Sequence, residues 1–124
     1  MNVLLSSANN KVPLLKALQC AVKRIDNKGI VTAGDLSSQV LTRHFCDAFW
    51  QMPPTTQENA DEIIAQLKHR RITHILPSRD GELLFWARRK NDLKSANIQV
   101  LISDETAIEL CLDKLRFGQC GIPF

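Results

Sequence analysis

With 124 residues, 44% of them hydrophobic and 23% charged, the sequence has the length and composition of one globular domain with a real core. A formal net charge of +3 is mild, and the one dense basic cluster is Arg88-Arg89-Lys90, a pattern that argues against a nucleic-acid partner. No apolar run approaches the ~20 residues of a membrane span, and Met1-Asn2-Val3-Leu4-Leu5 lacks the basic leader and long apolar stretch of a signal peptide, so a cytoplasmic protein with no membrane partner is expected.

Strand and helix signals then alternate along the chain. Residues 2–7 form a short apolar strand that feeds a helix over about 12–26, with Val12, Leu15, Leu18, Val22 and Ile25 on one stripe. Residues 29–34 suggest a second strand closing at Asp35. Ser37 or Ser38 is placed to cap a short helix through Phe45, and residues 48–52 suggest a third strand. Pro53-Pro54 breaks the chain, and Thr55 with Glu58 has the spacing of a capping box for a helix whose apolar face is Ala60, Ile63, Ile64 and Leu67. Residues 73–78 are the fourth strand, and Asp80-Gly81 turns it into a helix predicted to run to about Lys90. Residues 97–102 are the fifth strand, and Ser103 caps a final helix with Asp104 and Glu105 in its first turn. Repeated β-α units of this kind predict an α/β fold, with a mostly parallel sheet of about five strands and helices on both faces.

Cys20, Cys46, Cys111 and Cys120 are scattered without a C-x-x-C pair or a histidine at ligand spacing. Cys20 and Cys111 fall within helical patterns and are expected to be small buried hydrophobes, while Cys120 is placed nearer the surface. His44, His69 and His74 form no triad or metal site with local partners, and His69 between Lys68 and Arg70 is expected to be solvated.

Right-handed crossovers put the C-terminal ends of all strands on one edge, where open α/β sheets bind ligands. Residues 6–11, Asp35, residues 78–82 and Ser103-Asp104 should lie there. The first of these loops contains no glycine, whereas a dinucleotide site needs glycines so that the backbone can approach a pyrophosphate. A nicotinamide-dependent oxidoreductase is therefore disfavoured, even though Asp35 is placed where a ribose acceptor would sit. Ser7, Asn9, Asn10 and Lys11 suit a small anion through side chains and free amides at a helix start; equally, Ser7 or Asn9 simply caps that helix. Asp80 and Glu82 suit a substrate amine or a basic partner side chain, or are first-turn acids favoured by the helix dipole.

The stretches "ILPSRDGELLFWARRK", "IQVLISDETAIELCLDK" and the closing "GIP" occur in that order after "NNKVPLLKAL". Together they resemble the N-terminal, pre-ATP-grasp domain of ATP-grasp ligases, with proteins similar to the carbamoyl-phosphate synthase large chain as the nearest match, over essentially the whole chain. The resemblance implies a Rossmann-like three-layer domain over 1–112 and the start of a linker over 113–124, leading to an ATP-grasp domain absent from this chain. It further implies ATP and Mg as cofactors of the parent enzyme, with a carboxylate activated as an acyl phosphate and captured by an amine or other nucleophile. Lys114, matching the family's D-K lysine, would reach the nucleotide phosphates, while Ser7, Asn9, Asn10, Lys11, Asp80 and Glu82 would face a small carboxylate or amine substrate. The chain alone would bind neither cofactor tightly and would be inactive. Two departures stand out: the first loop reads Asn9-Asn10-Lys11-Val12 where the family carries G-R-R-V, and Lys114 stands only seven residues before Gly121. A stand-alone α/β binding module that has lost ligase chemistry is the alternative. In such a chain Phe117 and Phe124, free of a next domain, would favour a homo-oligomer.

Overall fold

The computed structural model describes residues 1–102. The expected final helix with its Ser103 cap, Lys114, the 113–124 linker, Cys111, Cys120, Phe117 and Phe124 lie outside the described residues.

Five strands form one parallel sheet in the order β3-β2-β1-β4-β5: β1 (Asn2–Ser6), β2 (Ile30–Asp35), β3 (Ala48–Gln51), β4 (His74–Pro77) and β5 (Gln99–Val100). The central strand carries the logic of the core. Alternate side chains of a strand point to opposite faces, so Leu4 packs on one side with Trp50, Ile63, Ile75 and Trp86, while Val3 and Leu5 pack on the other with Leu15, Val22 and Val31. Helix α1 (Val12–Ile25) covers the second face. The first is covered by α2 (Ala60–His69), α3 (Leu83–Arg88) and α4 (Lys90–Ser95). The result is the three-layer Rossmann-like arrangement that the β-α alternation predicts.

Local departures from the expected elements each have a physical cause. Ile25 ends α1 73% exposed, because ten steps of 100° set it about 80° away from Leu15 on the helix surface. Cys20 is exposed rather than buried, since it stands on the outer face of the same helix. The helix expected after Ser37 or Ser38 reduces to a single 3-10 turn, Leu41–His44, with no side-chain cap. Ser37 instead accepts from the amide of Gln39 at 3.0 Å, a local turn that competes with capping. The Thr55/Glu58 capping box does not form: a 3-10 turn over Gln57–Asn59 precedes α2, and the Thr55 hydroxyl accepts from Arg79 at 3.4 Å.

The helix predicted to run from Gly81 to Lys90 is broken at Arg89, whose backbone leaves the helical region at φ −106°, ψ 4°. The break turns the Arg89 side chain inward. There it donates to the carbonyl of Phe85 at 3.0 Å and to Gln57, with its guanidinium 4.0 Å from the Phe85 ring centre. α4 follows, with no Gly or Pro in the sequence to announce the junction. No helix among the described residues is long and apolar enough to cross a membrane.

Candidate functional site

The strand order reverses between β1 and β4, because β1 leads outward to β2 and β3 while β4 leads to β5. Connections leaving the two strands in opposite directions open a crevice beyond their C-terminal ends, the place where open α/β sheets hold ligands. A cavity of about 380 Å³ lies there, bordered by Ser6, Ser7, Asn9, Lys11 and Asp35 on one side and by Met52, Pro53, Pro54, Thr55, Thr56, Arg79, Gly81 and Glu82 around the rest.

The β1 loop is a tight turn held in an uncommon conformation. Ser7 and Asn9 adopt positive φ values of 58° and 45°. For residues other than glycine this region is sparsely occupied, and such strain persists only where surrounding bonds enforce it. Those bonds are present. The Ala8 amide donates to the Gly34 carbonyl at 2.9 Å, the Asn9 amide to Asp35 Oδ1 at 3.0 Å, and Thr42 donates through its hydroxyl to the Asn9 carbonyl at 2.6 Å. Asn10 Oδ1 accepts from the Leu41 amide at 3.0 Å, which draws that side chain toward the 3-10 turn and away from the cavity. Asp35 is doubly engaged, its second oxygen accepting from the Ser37 amide at 3.1 Å.

Lys11 bridges the ends of β1 and β4. Its ammonium donates to the Ser7 carbonyl at 3.1 Å, the Ser78 carbonyl at 2.5 Å and the Ser78 hydroxyl at 3.0 Å, which uses all three of its protons. The Ser78 hydroxyl in turn donates within reach of the carbonyls of Ser6 and Ser7 at 2.7 and 2.9 Å. Replacing Lys11 by Met should therefore unfasten the two loops and leave several acceptors without a donor. The expected loss of stability is about 2 kcal/mol, read from urea unfolding, with an unchanged slope.

Glu82 lies beneath this network. It is fully buried, and its carboxylate accepts from the hydroxyls of Ser6 at 3.1 Å and Ser7 at 2.5 Å and from the Ser78 amide at 3.3 Å. Burial pushes its pKa above the ordinary glutamate value, against the lowering effect of the two serine hydrogen bonds, of nearby Arg79 and of the Ser78 amide. Glu82 thus ties the C-terminal ends of β1 and β4 together and forms the floor of the cavity. Arg79 stands at the mouth, exposed, with Nε 3.4 Å from Ser7 Oγ.

Of the residues singled out at the functional edge, the fold brings Ser7, Asn9, Lys11, Asp35 and Glu82 to one cavity. Asn10 and Asp80 do not border it, and Asp80 is exposed. Arg79, expected on that edge within residues 78–82, was not given a ligand role there. Nor were Thr55 and Thr56, whose place beside the cavity comes from the chain folding back after β3.

Known proteins bear on this geometry in three ways. The family described as PylC-like, N-terminal domain, matches residues 3–101, which takes in the whole sheet except Asn2 at the start of β1, and the whole cavity lining. No curated protein sequence matches. Among solved structures, one titled as glycinamide-RNase-transformylase T from Mycobacterium tuberculosis superposes with a TM-score of 0.64 at 16% identity, over 99% of this chain and 36% of that one. At that identity the superposition speaks for a common fold, and this chain spans little more than a third of that protein's length. The match over residues 3–101, the parallel sheet and the crevice at its switch point lead to one conclusion: the chain belongs to the PylC-like N-terminal domain family, the leading domain of ATP-grasp ligases.

Proposed function

We propose that this chain is the substrate-side domain of an ATP-dependent ligase similar to the carbamoyl-phosphate synthase large chain, and that it is inactive by itself. The observation that carries this reading is the cavity at the switch point, enclosed within the family match. In the parent enzyme, ATP and Mg activate a carboxylate as an acyl phosphate for capture by an amine or other nucleophile. That chemistry belongs to an ATP-grasp domain that partners this one. The parent works in the cytoplasm.

The donor set here does not fit a magnesium-bound triphosphate. The β1 loop has no glycine, the Lys11 ammonium is saturated, and the carboxylates of Asp35 and Glu82 are committed to amides and hydroxyls. What these residues do suit is binding and orienting a small carboxylate or amine. Ser7 and Asn9 line the cavity, Glu82 and Lys11 hold its walls in register, and Leu36, Met52, Pro53 and Pro54 supply apolar lining. Lys114 is the residue that the resemblance directs toward the nucleotide phosphates, a task suited to a flexible point charge.

Calorimetry tests the division of labour. This chain should bind Mg-ATP no more tightly than about millimolar, because a phosphate-reaching lysine without an adenine pocket does not offset the lost rigid-body freedom. In a parent ligase, Lys114→Ala should raise the KM for ATP by about tenfold or more while circular dichroism stays the same. Micromolar ATP binding to the chain alone would overturn the proposal.

A further inference from the structure

Four charged side chains border the cavity: Lys11, Asp35, Arg79 and Glu82. Three are satisfied from within the fold, as their hydrogen bonds to backbone and serine groups record. Arg79 differs. Its guanidinium is exposed, and its contacts with Ser7 Oγ and Thr55 Oγ1 are each 3.4 Å long, at the outer limit of hydrogen bonding. It also lies against the position that a β-carbon at Gly81 would occupy, so the absence of a side chain there is what lets the guanidinium settle across the loop.

A planar fork of N–H donors with loose protein partners is matched by a group presenting two coplanar oxygens. The cavity lining also has apolar members, Leu36, Met52, Pro53 and Pro54. An ammonium ligand would have to share carboxylate oxygens that already accept from amides and hydroxyls of the fold. A phosphate calls for several converging donors, and the Lys11 ammonium is turned into the Ser7 and Ser78 oxygens instead.

We propose that the cavity binds a small aliphatic carboxylate, with Arg79 gripping the two carboxylate oxygens and Leu36, Met52, Pro53 and Pro54 packing against its carbon chain. The assignment deepens the substrate-side reading given above and rests on it. Arg79 then sets specificity by charge and by planarity, while Ser7 and Thr55 hold its guanidinium between them.

The test is an NMR titration of the whole 124-residue chain, following the Arg79 Nε–H and Gly81 amide signals, with succinate, its neutral diamide succinamide, and inorganic phosphate as probes. Succinate should give saturable shifts below about 50 mM, and succinamide none, because only the charged group engages the fork. Arg79→Gln should weaken succinate by about tenfold or more, and Arg79→Lys should recover only a small part of it. Gly81→Leu, which keeps the charge but displaces the guanidinium, should weaken it comparably. Equal binding of succinamide, tighter binding of phosphate, absence of saturable shifts, or unchanged affinity in Arg79→Gln would each overturn the proposal. The experiment uses no nucleotide. Carboxylate binding therefore stands if a parent ligase shows no ATP-dependent turnover, and its loss in a domain that supports turnover removes only the carboxylate assignment.

Discussion

Glu82→Ala should destabilise the domain by about 3 kcal/mol at neutral pH, enough to lower its melting temperature by about 12 °C or more. The side chain is fully buried, and its removal strands the hydroxyls of Ser6 and Ser7 and the amide of Ser78 in the gap between β1 and β4. A buried donor left without an acceptor costs more than the bond it formerly made. The relief of a buried charge offsets part of that loss, which is why the expected value stays well below the sum of three orphaned groups.

The isosteric change Glu82→Gln separates hydrogen bonding from charge. Because burial raises the folded-state pKa of Glu82, the folded protein holds this proton more tightly than the unfolded chain. Below the unfolded value both states are protonated and the site adds no pH dependence. Above it the unfolded chain ionises first, so stability falls as pH rises until the folded value is passed, and then levels off. Subtracting the Glu82→Gln profile from that of the parent should leave this decline with increasing pH. The measurement is urea unfolding at a series of pH values. A difference that is flat, or that rises with pH, contradicts a proton held by burial.

The second large effect is expected at Trp86. It is the largest fully buried side chain among the described residues, set edge-on to Phe85 with ring centres 4.9 Å apart and planes at 89°. Trp86→Ala should cost about 4 kcal/mol, since the surrounding Leu4, Ile63 and Ile75 belong to strands and a helix that cannot collapse into the space. Trp86→Phe should cost much less, about 1 kcal/mol, for a chemical reason: the indole Nε1 is buried without a hydrogen-bond partner, so its removal forfeits no bond. A Phe variant as damaged as the Ala variant would mean that the indole N–H has a role beyond packing.

These two residues also mark how far the sequence could be followed. The sheet was legible because each strand is a short apolar run bounded by turn residues, and Val3, Leu4 and Leu5 carry their alternation to both faces of the core. Helices α1 and α2 were legible from their apolar stripes. The α3–α4 junction was not, because Arg89 breaks the helix through an inward side chain rather than through a Gly or Pro. At the site, the edge location of residues 6–11 and 78–82 followed from topology. The part played by Glu82 did not, since an acid in a first helical turn looks the same whether it faces solvent or serine hydroxyls 75 and 76 positions away. Lys11, one of four residues that suited either a small anion or a helix start, bridges the two loops through its ammonium, a contact that no local sequence signal announces. Arg79 is the exposed cation at the cavity, and the signal for its position lay in its neighbours: Gly81 leaves it room, and Thr55 comes back to meet it.

The central claim is that this domain handles the non-nucleotide substrate while its partner domain handles ATP. Steady-state kinetics of a parent ligase carrying Leu36→Trp test it most directly. Leu36 is 54% exposed at the cavity border, so the larger side chain narrows the cavity without disturbing the core. The KM for the carboxylate or amine substrate should rise by about tenfold while the KM for ATP stays constant. An ATP KM that rises in step, or a substrate KM that does not move, would contradict the account.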